Sequence, residues 1–265
     1  MIGPLALHGG GEFLSGDEPF LRHLIKLAVA AARERVRACA PGNTTPGGTP
    51  VETVRVELLT TAVARHRPDL AFAVGSAALE RLAAEAADAP DAPDPGALTV
   101  RIRHARAVDA TSAEDATIAG RLAGADLVYL PGGDPDAVVE ILAGTLAWRS
   151  VEAARARGAV VAGASAGAMA LGERTWMRDG LGAGFGWAGR LAVVPHATAE
   201  RVVSMRSAVD GLPRGTELAI LGLPERTGVT GRPGAWVVVG DAGVWWWPPH
   251  APAPRHEPAG AIIRD

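Results

Sequence analysis

The five residues Gly163-Ala164-Ser165-Ala166-Gly167 constrain this chain more than any other stretch of it. An apolar run, Ala159-Val160-Val161-Ala162, leads in, and a helix-compatible run, Ala168-Met169-Ala170-Leu171, leads out. That order is a strand, a sharp turn and a helix, with a serine at the apex. Glycine on either side of the turn removes side chains that would collide there, so the hydroxyl is held out at the sheet edge. The N-terminus of the following helix points back at the serine and favours negative charge where an oxyanion would form. The competing reading of the same residues is a glycine-rich βα turn around a buried serine.

Strand and helix signals alternate along the rest of the chain. Leu5 to His8 reads as a first strand ending in Gly9-Gly10-Gly11, followed by a helix from Glu18 to Ala38 capped by Asp17. Val54 to Thr60, Leu98 to Ile102 and Leu127 to Leu130 read as further strands, with helices over Asp69 to Ala86 and over Ser112 to Leu122, the latter capped by Ser112. Helices from Asp136 and over Trp148 to Arg157 lead to the serine strand. Residues 41–50 and the Asp-Ala-Pro repeats of 88–96 read as exposed connectors, and the glycines after Arg178 as a flexible loop. Beyond it come a strand at Leu191 to Val194, a helix at Val202 to Val209, and strands at Glu217 to Leu223, Ala235 to Val239 and Val244 to Trp247. Repeated βα units of this length predict a mostly parallel sheet covered by helices on both faces. We read residues 1–265 as a single α/β domain whose proline-rich C-terminal tail, about 248–265, runs along the surface.

Composition narrows the partners. With 48% hydrophobic residues in 265, the chain can bury a large core. A net charge of -3 points to neither nucleic acid nor an anionic membrane, and no apolar run approaches the ~20 residues of a membrane span. Without a secretory leader pattern the expected location is cytoplasmic. The single cysteine, Cys39, excludes an internal disulfide, offers no zinc-ligand pattern and reads as a half-buried structural thiol.

A serine hydroxyl needs a base to take its proton, and the base needs a third group to hold its tautomer. Seven histidines compete. His23, His66 and His104 read as surface residues, and His250 and His256 belong to the tail. His196 follows a short strand downstream of the serine and is the expected base, with His8, at the end of the first strand, second. Glu225 follows the apolar strand ending at Leu223 and is the expected orienting acid, with Asp179 in the glycine-rich loop as fallback. Backbone N–H groups of Gly133 and Ala166 could form the oxyanion hole.

Leu130-Pro131-Gly132-Gly133-Asp134, followed about thirty residues on by Ala162-Gly163-Ala164-Ser165-Ala166-Gly167-Ala168, resembles the cyanophycinase and dipeptidase E family of serine peptidases. The opening Gly9-Gly10-Gly11 turn, the segment Leu181 to His196 and the segment Gly222 to Thr227 are similar to further parts of that family. The resemblance implies a class I glutamine amidotransferase-like, flavodoxin-like doubly wound sheet with a nucleophile elbow. It implies Ser165 as nucleophile, His196 as base, Glu225 as acid, and Gly133 and Ala166 as oxyanion donors. It also implies an amide or peptide substrate of small size, and family analogy extends to a homodimer. Val194-Pro195 stands where cyanophycinases carry Asp-Gln, and Pro224 where an acidic residue is usual, so cyanophycin itself does not follow. Arg201 is the cation available for a substrate carboxylate, and Gly10 and Asp134 are further expected substrate contacts.

Two other readings use the same residues. An α/β-hydrolase esterase would take His8-Gly9-Gly10-Gly11 as its oxyanion motif and Asp241 and His250 as partners of the serine, but only seven residues precede that motif. A catalytically inactive binding module on the same fold would keep the turns without the reaction. A glutamine amidotransferase is excluded, since it needs a cysteine at the elbow. The expected chemistry calls for no metal and no organic cofactor.

Overall fold

The computed structural model describes residues 2–39, 52–87, 98–213 and 215–264. The expected connectors at 41–50 and 88–96 and the Cys39 side chain lie outside them.

The parallel half of the first sheet is made by β1 (Leu5–His8), β2 (Glu52–Leu59), β3 (Leu98–Ala105), β4 (Leu127–Leu130) and β5 (Val160–Ala164), of which β1, β4 and β5 are short apolar runs buried throughout. They lie in the order β1-β5-β4-β2-β3, every neighbouring pair parallel. Beyond β1 the sheet continues antiparallel through β10 (Thr227–Arg232), β11 (Ala235–Gly240) and β14 (Ile262–Arg264). The side-chain period of two sorts each strand between two cores. Ala6, Val54, Val56, Leu58 and Tyr129 join α1 (Glu18–Cys39) and α2 (Pro68–Ala87) on one face. Leu5, Leu7, Leu59, Val128 and Leu130 join the opposite core.

That second core is shared with another sheet. It is built from β6 (Arg174–Met177), β7 (Gly180–Ala183), β8 (Leu191–Pro195), β9 (Ala219–Leu223), β12 (Val244–Trp247) and β13 (Arg255–Glu257), in the order β13-β12-β9-β8-β6-β7. Leu191, Val193, Leu221, Leu223 and Trp246 face the first sheet's Val229 and Trp236 in one continuous cluster. Here too lie α3 (Ala110–Ala113), α4 (Ala116–Ala123), α5 (Pro135–Leu142), α6 (Leu146–Ala156) and α7 (Ala166–Leu171). The outer face of the second sheet is covered by α8 (Ala199–Asp210), through Val202, Met205 and Val209. The architecture is thus α/β, with mostly parallel strands flanked by helices in the flavodoxin-like manner. No helix among the described residues is long and apolar enough to cross a membrane.

Several local expectations change. The helix expected from Ser112 is two helices: Asp109 caps α3 and Asp115 caps α4, while Ser112 completes a reciprocal capping box with Asp109. The glycine-rich stretch after Arg178 is in part the hairpin β6–β7, with Trp176 paired to Leu181. The proline-rich tail does not merely skirt the surface. Its residues supply β13 to the second sheet and β14 to the first, and Ile263 is buried. Trp236 and Trp246 are fully buried core residues, and Trp187 stacks on Trp148 with ring centroids 4.4 Å apart.

Candidate active site

The serine turn follows from close backbone contacts. A Cβ on Gly163 would stand 2.5 Å from the Gly167 carbonyl carbon, and one on Gly167 would stand 2.4 Å from the Leu130 carbonyl oxygen. Only glycine at both positions lets β5 turn straight into α7 while α7 lies against β4. Ser165 itself takes φ +46° and ψ −108°, a conformation costing an L-residue on the order of 1–3 kcal/mol. Two backbone hydrogen bonds hold it: Ser165 N–H donates to the His8 carbonyl, and Met169 N–H donates to the Ser165 carbonyl, each 2.9 Å.

His196 and Glu225 arrive from the second sheet. His196 follows β8 directly, with φ +48°, and Glu225 lies in the short connection from β9 to β10. Both connections are fastened to the glycine turn after β1. The Gly9 carbonyl accepts from His196 N–H and the Gly10 carbonyl accepts from Arg226 N–H, both at 2.8 Å. Gly10, at φ +106°, packs so closely that a Cβ there would fall 2.3 Å from Cε1 of His196. Gly10 therefore seats the imidazole, where a substrate contact was expected.

The side chains form one line of contacts. Ser165 Oγ lies 3.1 Å from His196 Nε2, and His196 Nδ1 lies 2.9 Å from Glu225 Oε1. The imidazole is partly exposed at 36% and the carboxylate at 53%, so the line opens to solvent at the acid end. Glu225 faces His196 instead of pairing with its neighbour Arg226. Asp179, the fallback acid, is exposed in the turn between β6 and β7, and no hydrogen bond or ion pair joins it to His196.

The donors expected around an oxyanion are unoccupied by protein. Neither Gly133 N–H nor Ala166 N–H meets an acceptor among the described residues. Gly133 adopts φ +149°, and a Cβ there would strike the Ala62 carbonyl oxygen at 2.2 Å. The preceding N–H, of Gly132, is taken by the Glu12 carboxylate at 2.6 Å. Glu12 sits in the turn region after β1, and the position where a Gly132 side chain would begin is 2.8 Å from its Oε1 and 3.2 Å from Ser165 Cβ. This carboxylate beside the serine is absent from the sequence expectations. Its only sequence signal was adjacency to Gly9-Gly10-Gly11.

The remaining expected residues have other positions. His8 is fully buried at the end of β1, its Nε2 2.9 Å from Oδ1 of the equally buried Asp17. Asp17 also accepts from Phe13 N–H, so it ties the β1–α1 connection together. Asp134 caps α5 through Asp136 N–H and pairs with Arg65 at 2.6 Å; these contacts with Arg65 and the backbone hold its carboxyl below the usual range against partial burial. Arg201 is exposed on α8, and its guanidinium makes no ion pair among the described residues. His23 and His104, expected at the surface, are partly buried: His23 meets Thr230 Oγ1 at 3.0 Å, and His104 stacks on Phe72 and meets Thr60 Oγ1 at 2.7 Å. His250, the base an esterase reading requires, is exposed and faces Glu217 at 3.3 Å. Among the described residues, no three His, Cys, Asp or Glu side chains converge as a metal site would require.

Comparison with known proteins bears out the family resemblance. Residues 99–181 match the model for peptidase family S51. That segment contains Gly133, Ser165 and Ala166, and ends before His196 and Glu225. The fold is similar to that of a peptidase from an acI-B1 Actinobacterium, at 24% identity and TM-score 0.73, covering 100% of this chain and 98% of that one. It is also similar to a candidate peptidase E protein from Listeria monocytogenes EGD-e, at 15% identity and TM-score 0.51, covering 90% of this chain and 98% of that one. No curated protein matches the sequence.

Proposed function

We propose that this chain, which shares its serine-bearing segment with peptidase family S51, is a serine peptidase that cleaves an amide bond of a small peptide through an acyl-enzyme. One observation carries the reading: an unbroken line of contacts runs from Ser165 Oγ through His196 to Glu225, and begins at a serine in a strained elbow.

In this mechanism His196 Nδ1–H donates to Glu225, which leaves Nε2 free to accept the Ser165 proton. The deprotonated oxygen attacks the scissile carbonyl carbon, and the carbonyl π pair moves onto oxygen. Gly133 N–H and Ala166 N–H, both without an acceptor among the described residues, donate to that oxyanion. The C–N bond then breaks as the amine takes the proton from His196, leaving an ester on Ser165. Water attacks the ester with His196 again accepting a proton, and Ser165 is regenerated as the acid product leaves. Glu225 stabilises the imidazolium formed in both halves.

The Glu12 carboxylate, held by Gly132 N–H next to the proposed oxyanion donor Gly133, adds an acidic group to the wall of the site. It favours substrates that bring a cation there, such as the free amino group of a short peptide.

The test is intact mass after incubation with a fluorophosphonate probe. A single adduct on the wild-type protein, absent from Ser165→Ala and His196→Ala, is expected. Absence of any adduct on folded wild-type protein would defeat the peptidase reading and leave a binding module.

A further inference from the structure

Strand β2 is second from the edge of the first sheet, next to parallel neighbours, a place where both faces are commonly apolar. One is: Val54, Val56 and Leu58 enter the core beneath α1 and α2. The face toward α4 carries Arg55 and Glu57 instead, and the register sets them beside Arg101 and Arg103 of β3. Arg121 of α4 closes over the same place, with Nε 3.7 Å from Glu57 Oε2. These four arginines and one glutamate line a cleft of about 430 Å³, together with Thr117, Gly120 and Gly124.

Among the described residues, Glu57 is the one acid that lines the cleft. The Glu57 side chain is 4% exposed, yet its Oε2 and the Nε of Arg121 are both buried without a hydrogen-bond partner among the described residues. The guanidinium groups of Arg55, Arg101 and Arg103 form no ion pair among the described residues. A Cβ on Gly120 would meet nothing within 4 Å, so the α4 wall leaves open space, and Gly124 lies 3.7 Å from an Arg55 terminal nitrogen when given a Cβ. Arg55, Arg101 and Arg103 are exposed, so water solvates them in the free protein and they stand ready for an incoming anion.

We propose that this cleft is a second binding site, separate from Ser165, for a small phosphate-bearing anion. Guanidinium forks match phosphate oxygens in pairs, and four of them around a narrow cleft suit a compact ligand with more than one anionic group. Among the described residues no aromatic side chain lines the walls to stack on a nucleobase. Glu57 pairs with Arg121 at the cleft floor. Burial pushes its carboxyl above the ordinary range, against the pull of Arg121 and Arg103. The position is remote from the serine. Val56 is level with Leu127 and Val160, the first residues of β4 and β5, whereas Ser165 follows the last residue of β5.

Calorimetric titration with inorganic pyrophosphate tests this on the full chain. Wild type and Ser165→Ala are expected to bind one pyrophosphate with equal affinity. The Arg101→Gln/Arg103→Gln double variant should bind about a hundredfold more weakly, since each charged hydrogen bond contributes roughly one decade. Its fluorophosphonate labelling should match wild type, which verifies folding independently. Glu57→Gln should keep or strengthen binding. No saturable binding to wild type, or binding unchanged in the double variant, would overturn the site. Citrate binding as tightly as pyrophosphate would overturn the phosphate assignment. Loss of binding in Ser165→Ala would place the anion at the serine instead.

Discussion

The carbonyl of Gly9 accepts a hydrogen bond from the backbone N–H of His196 at 2.8 Å, so the imidazole is positioned by the turn after β1, far away in sequence. The neighbouring Gly10 completes the seat, with space for no side chain between it and the ring. A methyl group there would push His196 off Ser165 Oγ. Gly10→Ala is therefore expected to lower kcat by about 100-fold or more, the effect of a displacement near 1 Å. KM should change little, and circular dichroism should show the fold retained. Wild-type turnover in this variant would mean that the ring moves freely.

Ser165 supplies a case where activity and stability oppose each other. Its φ of +46° is a strained conformation that glycine adopts without penalty. Ser165→Gly should raise the unfolding temperature, or at worst leave it unchanged, while abolishing probe labelling; Ser165→Ala should abolish labelling with no such gain. A lower melting temperature for the glycine variant than for the alanine variant would refute strain at the elbow.

Removing the acid should weaken the reaction without ending it. Glu225→Gln leaves a side chain of the same shape beside Nδ1 but cannot stabilise an imidazolium. A fall in kcat of between about 100-fold and 10⁴-fold is expected, toward the lower end because water reaches this half-exposed carboxylate. Asp179→Asn should leave kcat unchanged. The reverse pattern would transfer the role to Asp179.

The legibility of these positions tracks how local their causes are. Ser165 was visible because five consecutive residues encode its turn, and His196 and Glu225 because each follows an apolar strand closely. Glu12 escaped notice because its partner, Gly132, lies 120 residues away and nothing in the intervening sequence marks the pairing. Asp17 looked like a helix cap because an acid before a helix usually is one, yet its carboxylate turns inward to His8. The strands β13 and β14 have three residues each, too few to carry a period of two among prolines. Their pairing depends on finished edges at β12 and β11, which only the folded chain provides.

The partly buried His23 gives a pH dependence of stability. Burial, reinforced by Lys26, pushes its pKa below the ordinary 6.5, so the folded state resists protonating it more than the unfolded chain does. The stability it contributes is complete above 6.5 and is lost as the pH falls through the lower folded-state value. His23→Gln, which preserves a partner for Thr230, should flatten this part of the melting-temperature profile between neutral and mildly acidic pH. An unchanged slope would show that other groups control it.

The tertiary placement of Ser165, His196 and Glu225 has one more consequence. The serine belongs to one sheet, the histidine is carried by the other, and the glutamate lies on the strip of chain that crosses between them. The proposed reactive centre is therefore a seam, and its 3.1 Å and 2.9 Å contacts gauge how well the two sheets are aligned. Any event that slides one sheet against the other, even at the distant C-terminal strands that clasp both, would be felt first as a nucleophile out of step with its base.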